Sequence, residues 1–131
     1  MLSIKGNVST PSKVIKDVDV TLKKVPGGEI VDNTTTNESG NYNLTGNDPG
    51  VHEVEINSIL LDAGVNILRG RISVDSDPGI GLEVRCFDSG NNMLGSTFTD
   101  NRGGFNFDYL PDGEIKTVVT LSNFQPPQQF A

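Results

Sequence analysis

The sequence has no tryptophan, one cysteine and one histidine among its 131 residues. A single cysteine, Cys86, excludes an intrachain disulfide, so the fold does not depend on an oxidising compartment. No apolar run approaches the roughly 20 residues of a membrane-spanning helix. Aromatic residues make up 6% and hydrophobic residues 34% of the chain. This composition predicts thin cores between two sheets, and half-chains that need support from each other or from a partner.

Positive charge is also scarce. The chain has 10 Lys and Arg against 17 Asp and Glu, a net charge of −7. Nucleic acids and anionic membranes attract clustered cations, so we expect neither a nucleic-acid partner nor membrane insertion. The stretch Met1–Gly6 lacks the basic region and apolar core of a classical signal peptide. We therefore expect either a protein used without classical secretion or a fragment carrying an added methionine.

Alternation of apolar and polar residues is the main structural signal. Val18, Val20 and Leu22 share one side of a segment whose other side is polar. A period of two with one wet face is typical of antiparallel strands on a half-buried sheet. Similar segments separated by Gly, Pro, Asn and Asp turns follow along the chain. The pattern predicts an all-β protein without a helix of consequence.

Two stretches repeat the same turn, 36–44 (TNESGNYNL) and 99–107 (TDNRGGFNF). Each has Thr, three polar residues, Gly, and then an aromatic and a second large apolar residue two positions apart. Around them the two halves match with an offset of 64 residues that falls to 63 after the third strand, which indicates an internal repeat. We expect a β-sandwich repeat over 1–58, an interdomain linker over 59–65, a second repeat over 66–122, and an extended tail over 123–131.

These motifs resemble a known family. The Ile4-x-Gly6-x-Val8 opening, the Val18-x-Val20-x-Leu22 strand and the Thr-x-x-x-Gly-x-aromatic turn are similar to the carboxypeptidase regulatory-like, transthyretin-like (prealbumin-like, Cna B-type) β-sandwich. The resemblance implies two tandem small antiparallel Ig-like or transthyretin-like β-sandwich domains. It also implies a spacer, stalk, sheath or attachment role, although fold alone does not license function.

One chemistry of the related adhesin repeats can be checked on the residues. Those repeats often form an isopeptide bond between Lys and Asn or Asp, and Lys5 and Asn57 stand on about the right strands. Lys5 alternates with inward-facing Ile4, so its side chain is expected to point to solvent, and a charged group is rarely buried without a partner. We therefore expect no isopeptide bond.

Catalytic and metal-binding candidates are few. His52 lies beside Glu53, but neighbours along a strand face opposite ways, so we interpret it as a partly buried strand histidine. Cys86 is expected in the core. Asp75 and Asp77 could bind Ca²⁺, but the rest of a calcium-loop pattern is missing and solvated loop charge is the simpler interpretation. We expect no enzyme activity and no cofactor.

Contact with other chains is the remaining source of function. Ile59, Leu60 and Leu61 form an apolar cluster at the join, and Phe124 and Phe130 flank a Gln-Pro-Pro-Gln-Gln segment in the tail. We take these five residues as candidate partner-binding positions. A disordered terminus is an equally acceptable interpretation of the last two.

The combined expectation is a non-enzymatic structural or attachment protein of a larger assembly, present in several copies. A bacteriophage virion component (head decoration, neck, tail or baseplate) fits the missing signal peptide, the missing disulfide and the acidic surface. The alternative is an adhesin or carbohydrate-binding module cut from a longer surface protein. The expected location is a virion or an extracellular assembly.

Overall fold

The structure is a computed structural model that describes residues 2–46 and 50–121. It confirms the all-β prediction, because these residues form strands, turns and no helix. The strands are β1 (Leu2–Thr10), β2 (Lys13–Val14), β3 (Asp19–Val25), β4 (Ile30–Thr35), β5 (Asn41–Gly46), β6 (Val51–Leu61), β7 (Asn66–Val74), β8 (Asp77–Pro78), β9 (Glu83–Asp88), β10 (Met93–Phe98), β11 (Gly104–Leu110) and β12 (Gly113–Leu121).

The strands form two antiparallel sheets, and each sheet contains strands from both halves of the chain. In sheet A, β11, β7 and β1 are neighbours, β2 and β5 both pair with β1, and β8 pairs with β7. In sheet B the order is β10-β9-β12-β6-β3-β4. The halves therefore join twice, through β1 with β7 and through β6 with β12. Two tandem domains joined by a linker are not confirmed by this arrangement.

The expected linker overlaps a strand. Strand β6 continues through Leu61, so residues 59–61 pair with β12. A bulge lets the strand continue: Thr117 pairs with Ile56 and Ile115 with Ile59, which leaves two residues of β6 opposite one of β12. Ser58, inside the bulge, has φ of 56°. The bulge shifts the inward and outward alternation of the side chains along β6 by one residue, so both Ile56 and Ile59 face the core.

One buried apolar cluster fills the space between the sheets. It includes Ile4, Leu22 and Ile56 from the first half and Leu68 and Val119 from the second, all fully buried. Tyr42, Leu44, Phe105 and Phe107, the large apolar residues that follow the two Thr turns, are buried as well. The shared core explains how a chain with few aromatic residues stabilises two small repeats, since burial grows with the size of the folded unit.

The two Thr turns are built in the same way. The Thr36 hydroxyl oxygen accepts a hydrogen bond from the Val18 N–H at 3.0 Å, and the Thr99 hydroxyl oxygen accepts one from the Leu82 N–H at 2.8 Å. Both threonines are buried. Each ties its turn to the start of an earlier strand, which explains why a polar residue occupies this inward position in both halves.

The residue after each threonine caps its own turn. The Asn37 side-chain oxygen accepts hydrogen bonds from the N–H groups of Ser39 and Asn41. Asp100 does the same for Arg102 and Gly104 at 2.9 and 2.8 Å. These hydrogen bonds, the one from the Gly104 N–H first, hold the pKa of the Asp100 carboxyl below its usual range.

Glycine is needed at one position of each turn. Gly40 and Gly103 have φ of 77° and 78°, in the left-handed region that L side chains rarely adopt. A Cβ at Gly40 would meet the Val8 carbonyl oxygen, and a Cβ at Gly103 would meet that of Ile72. Both turns therefore require glycine for conformation and for space.

An aromatic ring covers a glycine in each half. The Tyr42 ring lies where a Cβ of Gly6 would stand, and the Phe105 ring lies where a Cβ of Gly70 would stand. The pairs are cross-strand neighbours, Gly6 with Tyr42 and Gly70 with Phe105. The absent side chain makes room for the ring between the sheets, so this match of glycine to aromatic fixes the register of β1 with β5 and of β7 with β11.

Candidate functional site

The structure places the five candidate partner-binding residues in different environments. Ile59 and Leu61 are 0% and 1% exposed and belong to the core, so in this fold they contact β12 and the opposite sheet rather than another chain. They face inward because the bulge at Ser58 restores the inward alternation. Leu60 faces solvent with 54% of its surface exposed. Phe124 and Phe130 lie outside the described residues.

Lys5 and Asn57 do not come together. Lys5 is exposed on the outer face of sheet A, as expected, whereas Asn57 lies in sheet B and donates a hydrogen bond from its side-chain nitrogen to Asp19. Because the two side chains lie on different sheets, an isopeptide bond between them would require a different fold.

His52 is more deeply buried than the sequence indicates, with 1% of its surface exposed. Its Nδ1 lies 3.0 Å from the Gly50 carbonyl oxygen. A carbonyl can only accept, so Nδ1 is the donor in this hydrogen bond. Nε2 is buried without a hydrogen-bond partner in the described part of the chain. The ring closes the end of the core beside the turn at Gly50.

Cys86 and the loop residue Asp75 lie in environments that indicate a structural role. Cys86 is fully buried, as predicted, and burial raises the pKa of its thiol to about 11, which makes it a poor nucleophile near neutral pH. Asp75 accepts a hydrogen bond from the Ser3 N–H at 2.8 Å. Within residues 2–46 and 50–121, no group of three or more His, Cys, Asp or Glu side chains is placed to hold a metal ion.

The outer face of sheet B is covered by paired charges. Lys23 lies 2.9 Å from Glu55, and Arg85 lies 3.1 Å from Glu53. These pairs are partly exposed, so each contributes little stability, at most about 1 kcal/mol. Their stems cover the face, which is consistent with Val118 being buried on the outer side of its strand. This face presents few unpaired groups to a partner.

The edge strands offer a partner more unpaired groups than this face does. Strands β4 and β10 end sheet B, and β5 and β11 each have a neighbour on one side over most of their length. None of these four strands contains Lys, Arg or Pro, the residues that commonly protect sheet edges from pairing with other chains. Three of the edges are capped by side chains at a backbone N–H: Asp32 caps β4 and β5, Asn37 also caps β5, and Asp100 caps β11.

Strand β10 is the exception. It has no charged residue, and in the described part of the chain no side chain donates to or accepts from the backbone of Met93–Phe98. Met93 and Phe98, at its two ends, are 60% and 65% exposed. A β-bulge between Met93 and Gly95 interrupts the pairing with β9, and Gly95–Phe98 pair with β9 without a break. Strand β10 therefore presents a neutral, largely regular edge with an apolar side chain at each end.

This edge was only partly predictable. The sequence places a strand from Met93 to Thr99, and the absence of charge can be read directly. The missing information is the pairing of the strands, because only an edge position leaves the backbone groups of a strand free. In the sequence, Phe98 is an aromatic residue that is not among those assigned to the core.

Comparisons with known proteins return no relative. No protein-family model matches the sequence, no curated protein is significantly similar to it, and no solved structure is significantly similar to its fold. The described residues contain no helix that could span a membrane.

Proposed function

We propose that this protein is a non-enzymatic structural component of a larger, multi-copy assembly, of the kind that forms bacteriophage virions as a head decoration, neck, tail or baseplate protein. The observation that carries the proposal is the unprotected edge of β10. An edge strand without charge, proline or capping side chains pairs readily with a strand of another chain. In a protein that acts alone, such an edge is an aggregation hazard.

The exposed apolar residues at this edge support the same proposal. Met93 and Phe98 would be buried if a strand from a neighbouring subunit extended sheet B. Fully burying a side chain of this size contributes about 1.5 to 3 kcal/mol, and aromatic residues and Met are enriched in protein interfaces. The fold supports a structural role as well, because two strand pairings join the halves rigidly around one core.

We also propose that the halves are two copies of one transthyretin-like repeat that share their sheets. The matching turns at Thr36 and Thr99, the left-handed glycines at 40 and 103 and the covered glycines at 6 and 70 support this relationship. The alternative function, an adhesin or carbohydrate-binding module of a longer surface protein, is favoured by the exposed cations Lys5, Arg69 and Arg71 on the outer face of sheet A.

Sedimentation of native material, with mass spectrometry of every fraction, tests the proposal. We expect the chain to travel with a large particle at high copy number. A matched pair of variants then tests the edge. Ser96→Lys places a charge in the middle of β10 and should reduce incorporation into the particle, whereas Ser39→Lys places the same charge in an exposed turn and should not. A chain that remains at the top of the gradient would refute the proposal.

A further inference from the structure

The outer face of sheet A concentrates positive charge in an acidic protein. Lys5, Arg69 and Arg71 all project from this face and are exposed. The pairing of β1 with β7 brings them together, since Asn7 pairs with Arg71 and Ser9 with Arg69. Residues two apart on one strand stand roughly 7 Å apart, and diagonal neighbours on adjacent strands about 7 to 8 Å apart. The three cations therefore form one cluster.

No direct ion pair in the part of the chain that the structure describes neutralises this cluster, although Arg71 lies near enough to the Asp100 carboxylate to interact with it electrostatically. Within the described residues, none of its three cations forms an ion pair, whereas Lys13, Lys23 and Arg85 each do. The Arg69 Nε donates a hydrogen bond to the Asn106 side-chain oxygen at 3.4 Å, which orients the guanidinium without cancelling its charge. Unpaired cations on a chain with a net charge of −7 are available to an anionic ligand.

Polar amides surround the cations. Asn7, Asn41, Asn43 and Asn106 project from the same face and are exposed. Their strand positions lie beside the cations: Asn43 pairs with Lys5, Asn7 with Arg71, and Asn106 with Arg69. The amide groups of Asn7, Asn41 and Asn43 offer donors and acceptors to hydroxyl groups of either orientation. The Asn106 amide already accepts from Arg69 and donates to the exposed Asp108 carboxylate.

A groove of about 660 Å³ runs beside the cluster, at the corner between β10 and β11. Arg69, Arg71 and Phe98 line it, and Gly104, the cross-strand partner of Arg71, leaves space because it has no side chain. The volume lies within the range of small-ligand sites, roughly 300 to 1,000 Å³. Asp100 also lines the groove, but its carboxylate already accepts two backbone hydrogen bonds from its own turn.

We propose that this basic face binds a carboxylate-bearing glycan, such as a uronate- or sialate-containing polysaccharide. Guanidinium groups bind carboxylates with two parallel hydrogen bonds, the amides match sugar hydroxyls, and the exposed Phe98 ring offers a flat apolar surface for a sugar ring. A protein partner fits less well, because protein interfaces have an apolar centre and this face is polar apart from Phe98. Phe98 belongs both to this face and to the β10 edge, whereas the three cations and the amides lie on β1, β5, β7 and β11, away from that edge.

The test is a titration of the full chain with four probes, in which binding is measured by NMR or calorimetry. The probes are oligogalacturonate, oligomeric sialic acid, fully methyl-esterified oligogalacturonate and a single-stranded DNA of equal charge. We expect binding of at least one carboxylate glycan that weakens as salt is raised, and none of the methyl ester, which keeps the sugar backbone and removes the charge. Equal binding of the ester, stronger binding of the DNA, or binding of neither acidic glycan would overturn the proposal.

Matched variants locate the site. Arg71→Gln should weaken binding about tenfold or more, in line with the loss of a charge-assisted hydrogen bond, and should reduce the salt dependence. Phe98→Ala should weaken binding with an unchanged salt dependence. Lys16→Gln removes an exposed positive charge that lies outside the described strands and should leave affinity unchanged. All three residues are exposed, so unchanged thermal unfolding can confirm that each variant folds. An equal effect of Lys16→Gln would show that net charge, not this face, controls binding.

Discussion

If the two halves share one core, a destabilising substitution in the first half must also expose buried residues of the second half. Leu22→Ala tests this. Leu22 is fully buried in β3, and three strand spacings of about 4.8 Å separate β3 from β9, which holds Cys86. Truncating a buried Leu to Ala typically costs about 2 to 5 kcal/mol of unfolding free energy. The substituted residue does not touch the thiol that reports on it.

The assay is thiol labelling of Cys86 under native conditions with low concentrations of urea. Cys86 is fully buried and is the only cysteine, so it reacts only when the second half opens. With one cooperative unit, a loss of about 2 to 5 kcal/mol accelerates labelling about 30-fold to a few thousand-fold, because about 1.4 kcal/mol corresponds to a factor of ten.

Two further variants calibrate the measurement. Thr35→Ala changes an exposed residue of the first half and should alter the labelling rate only slightly, since such substitutions usually stay within about 0.5 kcal/mol. Val84→Ala removes a buried side chain beside the thiol and should accelerate labelling under either organisation. If Val84→Ala accelerates labelling and Leu22→Ala does not, the halves open independently and the shared-core reasoning fails.

Two other predictions concern the repeated positions. Tyr42→Phe should raise the unfolding free energy by about 1 kcal/mol in urea denaturation, because the hydroxyl is buried without a hydrogen-bond partner among the described residues and the equivalent residue is Phe105. A clear loss of stability would mean that the hydroxyl is hydrogen-bonded. Asp100→Asn should remove part of the pH dependence of stability. The folded pKa of this carboxyl lies below its unfolded value of about 3.9, so its contribution is present above about pH 4 and is lost as the pH falls through the folded pKa. The amide should preserve the turn, as Asn37 does, and equal stability profiles of variant and wild type between pH 7 and pH 3 would contradict the assignment.

Much of the local structure was readable from the sequence. Alternation at Val20 and Leu22 predicted a half-buried strand, and both residues are buried. The repeated Thr-to-Gly pattern predicted a turn in each half, and the glycines of these turns have φ of 77° and 78°. These features depend on a few consecutive residues, so the sequence contains all the information that they require.

The candidate site was less predictable. The sequence predicts that Lys5 faces solvent, and it shows that Met93–Phe98 has no charge. It does not show that β1 lies beside β7, or that β10 has no hydrogen-bonded neighbour on one side among the described strands. Ile59 and Leu61 illustrate the same limit, because an apolar cluster at a join can cover a partner or fill a core, and the β6 bulge directs both inward.

The sequence alone thus determined that the chain is all-β, where most strands and turns lie, and that the pattern occurs twice. Tertiary structure decided that the two patterns share their sheets, and hence which strands became edges and which cations became neighbours. The physical reason is that a period of two specifies the buried face of a strand but not the strand beside it. Backbone hydrogen bonds are alike in every strand, so the choice of neighbour depends on packing contacts between residues far apart in the chain, such as Phe105 against Gly70.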